Sequence, residues 1–191
     1  MKNKILVILG SIRENRLGEK VANNVMEVLE KRDDADYELV DLKDFPLPLY
    51  DQPVPTSAMQ EPYIDPVMAK WQKTIEDADG YIFITAEYNR SIPSALKNAI
   101  DYVYYEWNKK PMAVVSYGNA AGGSRAAEHL RSMAIELQMA PVRIGVHIPF
   151  VWEKFDESGK LVDFDRYANT INDMSDQLNW WTKALKTARE E

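Results

Sequence analysis

Short runs of apolar residues recur along the chain, separated by stretches in which apolar positions repeat every three or four residues. The runs cover residues 5–9, 37–40, 80–85 and 112–116, with a fifth near 142–148. Runs of this length, rich in β-branched residues, are typical of buried strands, and the intervening period is typical of amphipathic helices. The alternation predicts an α/β fold, a doubly wound five-stranded parallel sheet with helices on both faces.

The helices are predicted from apolar residues that share one face. Val67, Trp71 and Ile75 lie at i, i+4 and i+8 in a helix over residues 66–78. The other helices are expected to begin near Val21, to follow Pro93 with an apolar face that reaches Trp107, to span 125–139 and to span 164–188.

A long connection joins the second strand to the second helix. Residues 41–62 contain Pro46, Pro48, Pro53, Pro55 and Pro62. A loop of this length is unusual in a compact domain unless it has a function, and the apolar residues within it make a disordered segment less favoured. We expect this connection to cover a site or a subunit contact.

The composition limits the classes of protein to which the chain can belong. Its 191 residues, 46% hydrophobic, suit one α/β domain over residues 1–191. The net charge of -7 opposes nucleic-acid binding, and neither a membrane-spanning run nor a signal peptide is recognised, so the expected location is cytoplasmic. There is no cysteine, and the two histidines, His129 and His147, are too few to form a zinc site by themselves. Redox chemistry would therefore need a bound cofactor.

Polar residues follow the first strand at once, in the segment 10–18. Ser11 and Asn15 offer hydrogen bonds, and Arg13 and Arg16 supply guanidinium groups. The N–H groups at the start of the next helix attract anions, because they lack intrahelical acceptors and carry the positive end of the helix dipole. The segment is neither a dinucleotide fingerprint nor a Walker loop. It predicts a site for a terminal phosphate monoester; the alternative is solvated arginines beside a helix-capping serine.

Two further loops follow the third and fourth strands. Tyr88 and Asn89 suit contact with a planar ring, whereas Gly118, Gly122 and Gly123 expose backbone amides. Ligands of doubly wound sheets bind beyond the carboxyl ends of the strands, where these loops converge. We therefore expect one site for a molecule that carries a phosphate and a planar ring with a polar edge.

These three motifs, in this order, resemble the NAD(P)H-dependent FMN reductase family of the flavodoxin-like fold, which includes quinone, azo-compound and chromate reductases. The resemblance spans roughly residues 4–150. It rests on the segment 10–18, on Glu87-Tyr88-Asn89 with Ser91 and Pro93 before residues 96–101, and on Ser116-Tyr117-Gly118 with Gly122-Gly123. Ala86 stands where the family usually has proline.

The resemblance implies FMN as cofactor, NADPH or NADH as electron donor, and a small-molecule acceptor such as a quinone, a free flavin, an azo compound or a metal oxyanion. Because the flavin carries the chemistry, no catalytic side chain and no metal site are expected. The third loop would place amides at the pyrimidine end of the flavin, where negative charge develops on reduction. The residues expected to bind the cofactor are Ser11, Arg13, Asn15, Arg16, Leu17, Gly18, Glu87, Tyr88, Asn89, Ser91, Ser116, Tyr117, Gly118, Gly122 and Gly123.

Other classes of protein share this fold class. A flavodoxin-type electron carrier is the main alternative, although its phosphate loop would be built from Ser, Thr and Gly rather than two arginines. A phosphoacceptor receiver domain needs carboxylates after the first strand and an aspartate after the third, where this chain has Gly10-Ser11 and Thr85-Ala86. A low-molecular-weight phosphatase needs a cysteine nucleophile, which the sequence lacks.

Two expectations concern the surroundings of the flavin. Arg90 interrupts the second loop with a fixed cation, and we expect it to bind the phosphates of NAD(P)H. The aromatic residues after the third helix exceed what one helix face can bury, which predicts a homodimer or homotetramer. Packing of these aromatics beneath the 41–62 connection is the alternative. They are Tyr102, Tyr104, Tyr105 and Trp107.

Overall fold

A parallel sheet forms the centre of the computed structural model, which describes residues 2–59 and 61–191. Its strands are β1 (Asn3–Leu9), β2 (Ala35–Asp41), β3 (Gly80–Ala86), β4 (Pro111–Tyr117), β5 (Ala140–Pro141) and β6 (Val146–Ile148). The order is β2-β1-β3-β4-β5, with β6 also paired to β4. This is the flavodoxin-like order, in which the strand sequence reverses between β1 and β3. The predicted doubly wound sheet is thus confirmed.

The fifth position of the sheet is divided, whereas the sequence predicts one strand near residues 142–148. β5 pairs with the start of β4 and β6 with its end. The N–H groups of Ala140 and Val142 donate to the carbonyls of Lys110 and Met112, so the nitrogen of Pro141 faces away from β4, the side on which an edge strand tolerates proline. After Val142 the chain leaves the sheet briefly and returns to it at Val146.

Helices cover both faces of the sheet within the described ranges. They are α1 (Leu17–Leu29), α2 (Pro66–Glu76), α3 (Ser94–Asp101), α4 (Ser124–Glu136) and α5 (Phe164–Glu190). One core cluster joins the sheet to α1 and α5, and the other joins it to α2, α3 and α4. α3 ends before the predicted Trp107, which lies instead in a separate 3-10 turn. In the part of the chain described, no helix is both long and apolar enough to cross a bilayer.

The aromatic residues that follow α3 pack within the chain itself. Tyr102 and Trp107 are fully buried. The Tyr102 hydroxyl donates to the Pro48 carbonyl at 2.9 Å, and the Tyr105 hydroxyl donates to the Ser57 carbonyl at 2.8 Å. These contacts match the alternative of packing beneath the proline-rich connection. Tyr105 nevertheless remains 60% exposed, and the oligomeric state stays a prediction.

Candidate functional site

A cleft of about 330 Å³ lies where β1, β3 and β4 end. The loops after these strands meet there because β1 and β4 both pair with β3. Its volume falls at the lower end of the range for small-molecule sites, roughly 300–1,000 Å³. The lining residues are Arg13, Asn15, Arg16, Leu17, Ala86, Glu87, Tyr88, Tyr117, Gly118, Val151 and Trp152.

The first loop leads into a helix whose start is open to a ligand. The Gly10 N–H donates to a β3 carbonyl at 2.9 Å, which fixes the beginning of the loop. Asn15, with φ 49°, adopts the left-handed conformation that asparagine tolerates and turns the chain toward α1. No described side chain caps α1 at Arg16, and no acceptor for the N–H groups of Leu17 and Gly18 is found among the described residues. Together with the helix dipole, these groups favour an anion.

The Arg16 side chain forms its hydrogen bonds and ion pairs with other residues of the protein. Its side chain is 2% exposed and donates to both carboxylate oxygens of Asp41, to Glu19 and to the Ser11 carbonyl. Burial opposes its charge, but the hydrogen bonds and charges of Asp41 and Glu19 outweigh that effect and raise the pKa of Arg16. Arg16 therefore ties the loop to the end of β2, with its charge already compensated.

Arg13 has the opposite environment. It is exposed, and its guanidinium carbon lies 5.9 Å from the centre of the Tyr88 ring. Of the acidic side chains in the described ranges, none forms an ion pair with it. The Ser11 and Tyr88 hydroxyls lie 2.9 Å apart beside it. Arg13 is therefore the guanidinium of this loop that can meet a bound anion.

The start of α4 is occupied by a carboxylate of the chain. Glu87 accepts a hydrogen bond from the Arg125 backbone N–H at 3.1 Å and another from its guanidinium at 2.5 Å. The Glu87 side chain is 11% exposed. A second anion at this helix start would meet like-charge repulsion. At α4 the Arg125 N–H is already paired with this carboxylate, whereas the Leu17 and Gly18 N–H groups of α1 have no acceptor among the described residues.

The second loop contains a strained two-residue turn. Tyr88 and Ser91 exchange backbone hydrogen bonds of 2.8 and 2.9 Å around Asn89 and Arg90. The central residues have φ of 50° and 68°, the left-handed pair of a type I′ turn, in which Asn-Gly is preferred. Arg90 occupies the glycine position and so stores strain on the order of 1 kcal/mol.

A wider cleft of about 580 Å³ shares Tyr88 with the first. The second loop, α3 and α4 form it, and the Ser91 hydroxyl lies 2.9 Å from His129 Nδ1 across it. Tyr88 is therefore a common wall of the two clefts. The lining residues are Tyr88, Asn89, Ser91, Ile92, Ser94, Lys97, His129, Ser132 and Met133.

The third loop holds some amides inward and leaves others without an acceptor. The Gly118 N–H donates to a β6 carbonyl at 3.2 Å, and the Gly122 N–H donates to the Asn119 carbonyl at 2.8 Å. For the N–H groups of Asn119, Ala121 and Gly123, the described chain provides no acceptor. This loop can therefore donate hydrogen bonds to the polar edge of a ligand.

Close packing explains two of the glycines. A Cβ atom on Gly123 would lie 2.8 Å from both Ser116 Cβ and Tyr117 N, and its φ of 79° is also left-handed. A Cβ atom on Gly18 would lie 2.5 Å from the Tyr117 hydroxyl. Burial and the neighbouring Tyr88 raise the pKa of Tyr117, so its hydroxyl stays protonated at neutral pH. Tyr117 can thus pack on α1 as a hydrogen-bond donor.

Most of the residues predicted to bind the cofactor lie in or directly behind the two clefts. Asn89 and Ser91 line the wider cleft, whereas Ser116 is buried beneath the third loop. Val151 and Trp152 also line the first cleft, although no motif of the sequence predicts them. They follow β6 in the same way that the other loops follow their strands, and this position could have indicated them. Which residues contact the cofactor stays a prediction.

The geometry fits the predicted cofactor. The open start of α1 and the unpaired Arg13 suit the two charges of a phosphate monoester. The free amides of the third loop suit the polar edge of a planar ring. The site can therefore hold a flavin mononucleotide with groups that this chain supplies.

Comparison with known proteins gives consistent matches. The model of the NADPH-dependent FMN reductase family matches residues 3–153. An NAD(P)H-dependent FMN reductase of Schizosaccharomyces pombe is 39% identical over 148 residues, which cover 76% of this chain and 74% of the relative. A quinone reductase of Pseudomonas putida is 33% identical over 169 residues, which cover 85% and 86%. The solved flavoenzyme NAD(P)H:(acceptor) oxidoreductase of Paracoccus denitrificans shares the fold, with a TM-score of 0.73, 24% identity and coverage of 95% and 98%.

Proposed function

The chain belongs to the NADPH-dependent FMN reductase family, and we propose that it passes electrons from NAD(P)H by way of FMN to a quinone. The prediction of an FMN-dependent NAD(P)H oxidoreductase, as opposed to an electron carrier, is confirmed by this membership. When bound, FMN supplies the hydride chemistry. The acceptor and the binding residues are our proposals, and the cytoplasmic location stays a prediction.

The open start of α1 beside the unpaired Arg13 is the observation that carries the proposal. We assign the phosphate of FMN to the N–H groups of Leu17 and Gly18, the Ser11 hydroxyl and the Arg13 guanidinium. These groups compensate the two negative charges without a metal ion, because a helix start and a guanidinium each favour an anion. Arg16 acts indirectly, since its bonds to Asp41 hold the loop in place.

The third loop is assigned to the pyrimidine end of the flavin. Its unpaired N–H groups, on Asn119, Ala121 and Gly123, are held in place before any charge develops. Donors that are already oriented stabilise a developing anion strongly, because no reorganisation is needed during the reaction. These backbone amides replace a side-chain acid in the electron-transfer step.

The wider cleft is assigned to the acceptor. Ile92 and Met133 provide apolar contact, and His129 and Ser132 provide polar groups. An apolar cleft with a few polar groups suits a flat ring that carries carbonyl oxygens, such as a quinone, better than a metal oxyanion. Two observations support this assignment: Tyr88 lines both this cleft and the one that we assign to FMN, and the similar protein of Pseudomonas putida is named a quinone reductase.

Steady-state oxidation of NADPH and NADH tests this function. The protein loaded with FMN should oxidise the nucleotide when benzoquinone is present, and protein stripped of FMN should do so only after FMN is restored. Chromate, free flavin and an azo dye are compared at equal concentration. Absence of turnover with every acceptor would contradict the enzyme, whereas turnover with another acceptor alone would contradict the quinone.

Replacing Arg90 with glycine is expected to raise the KM for the reduced nucleotide about tenfold, because a charge-assisted contact to its phosphates is lost. The same change should raise the free energy of unfolding by about 0.5–1 kcal/mol, since glycine relieves the left-handed strain at this position. Initial rates and urea unfolding provide the two measurements.

The glycine variant is informative because glycine stabilises the left-handed conformation of the turn while it removes the charged side chain. Weaker nucleotide binding in a protein of higher stability cannot result from a damaged loop. Arg90→Lys serves as the control that keeps the charge. A larger effect on NADPH than on NADH would assign Arg90 to the 2′-phosphate, and an unchanged KM for both nucleotides would remove it from the site.

A further inference from the structure

A histidine and a serine form a hydrogen-bonded pair beneath the third loop. Ser116 is fully buried near the end of β4, and its hydroxyl oxygen lies 2.8 Å from the Gly122 carbonyl oxygen and 2.6 Å from Nδ1 of His147. His147 lies on β6; the residue as a whole is exposed, and its hydrogen bond to Ser116 is partly buried. The pair connects the fifth position of the sheet to the loop assigned to the flavin.

The direction of both hydrogen bonds follows from the number of protons. A serine hydroxyl carries one proton, and a carbonyl oxygen can only accept. The Ser116 hydroxyl therefore donates to the Gly122 carbonyl, and His147 must donate from Nδ1 to the hydroxyl oxygen. This arrangement defines one tautomer of the neutral imidazole, with its proton on Nδ1.

The Gly122 carbonyl controls the direction of a neighbouring amide. The carbonyl of Gly122 and the N–H of Gly123 belong to one planar trans peptide unit, so they point in opposite directions. The hydroxyl that holds the carbonyl inward thereby turns the Gly123 N–H outward. That N–H has no acceptor among the residues described.

The loop also packs directly on the strand that carries the histidine. A Cβ atom on Gly122 would lie 3.2 Å from both the carbonyl carbon and Cβ of His147, and Gly122 has a left-handed φ of 58°. Both the side chain and the backbone at His147 therefore restrict the same peptide unit.

We propose that His147 is a positioning residue for the flavin, which acts through Ser116 to aim the Gly123 N–H at the pyrimidine end of FMN. The inference rests on the proposed function, because it requires the third loop to contact that end of the cofactor. An N–H aimed there stabilises the negative charge of reduced FMN more than the neutral oxidised form. The pair therefore raises the affinity for reduced FMN relative to oxidised FMN.

The environment of His147 is consistent with this role. Partial burial and the neighbouring Arg131 lower the pKa of the imidazole, and Glu128 opposes them in part. His147 is therefore mainly neutral at neutral pH. In this state one ring nitrogen donates and the other does not, so the tautomer has a defined consequence for the loop.

The reduction potential of bound FMN tests the proposal in three variants. Ser116→Ala and His147→Leu should each lower the affinity for reduced relative to oxidised FMN about tenfold, which moves a two-electron couple by about 30 mV to more negative values. His147→Asn should restore most of the potential, because an asparagine amide can donate near the position of Nδ1. Ser175→Ala is the matched control, since Ser175 is equally buried and donates only within α5.

A measurement on the unmodified protein avoids any variant that fails to fold. Nitrogen-15 NMR of the imidazole should show the proton of the neutral ring on Nδ1. A proton on Nε2, or an unchanged potential in folded Ser116→Ala and His147→Leu, would overturn the proposal. Failure of the proposed function would be seen separately, as a wild-type protein that neither binds FMN nor oxidises NAD(P)H.

Discussion

Replacing Arg13 with alanine is expected to weaken FMN binding about ten- to a hundred-fold and to leave riboflavin binding almost unchanged. Riboflavin lacks the phosphate, so it cannot report a contact that only the phosphate makes. A hydrogen bond to a charged partner contributes about 1.5–3 kcal/mol, which gives this range. Because Arg13 makes no ion pair with a described residue, its removal leaves no other charge of this loop unpaired.

Titration of the apoprotein with both flavins provides the measurement. Arg166→Ala is a suitable control, because Arg166 is exposed on α5 and lines neither cleft. The difference between the flavins should also shrink at high salt, which screens an exposed charge. Equal losses for FMN and riboflavin would show damage to the fold, and no loss for either would show that Arg13 is a solvated arginine without a phosphate contact.

Asp41→Asn is expected to lower the free energy of unfolding by about 2–3 kcal/mol, because it leaves the buried Arg16 guanidinium without its main partner. Loss of one partner of a fully buried pair costs about 3–5 kcal/mol. We reduce this value because the Asp41 side chain is 25% exposed and Glu19 remains beside Arg16. The two flavins should be affected alike, in contrast to Arg13→Ala.

Urea unfolding at several pH values checks the assignment. Burial alone would raise the pKa of Asp41, but hydrogen bonds from Arg16 and from the Lys43 N–H outweigh it, and the pKa lies below its usual 3.8. The unfolded chain therefore binds the proton first as the pH falls. The stability that Asp41 contributes is present above about pH 4 and is lost below it, as the pH falls through the folded pKa. The deficit of Asp41→Asn should shrink in the same range.

Asp36→Asn removes a similar charge from an exposed position on the same strand and is the matched control. Its free energy of unfolding should stay within about 0.5 kcal/mol of the wild-type value. If both aspartate variants lost the same stability, the loss would result from removing a negative charge from β2 and not from breaking the Asp41–Arg16 pair. The role assigned to Arg16 would then be wrong.

The sequence predicts the sheet and the place of the site because these depend on local signals. Each buried strand is a continuous apolar run, and the glycines and polar residues that follow it mark the loops at one edge. The difference between Arg13 and Arg16 could not be predicted in the same way. It depends on Asp41, which lies beside the first loop only because β1 and β2 pair with Leu9 opposite Asp41.

The same limit applies to Glu87 and to the aromatics after α3. Glu87 belongs to a motif that suggests contact with the flavin ring, but its carboxylate is bound to Arg125, 38 positions away along the chain. Tyr102 belongs to the group of aromatic residues from which an oligomer interface was predicted. In the structure its hydroxyl is bound to the carbonyl of Pro48, in the distant 41–62 connection. Contacts between residues so far apart in the sequence produce no periodic pattern along the chain. The sequence therefore identifies the residue but not its partner.

The Glu87 carboxylate at the start of α4 affects the orientation in which an elongated ligand can bind. α1 and α4 begin at the same edge of the sheet, and either helix start would by itself attract the charged end of an elongated ligand. Because Glu87 already fills the start of α4, the start of α1 is favoured for the charge of a ligand with a single phosphate, which gives the ligand a preferred polarity along the cleft. Head-to-tail reversal of the cofactor is therefore opposed by a side chain to which we assign no phosphate contact.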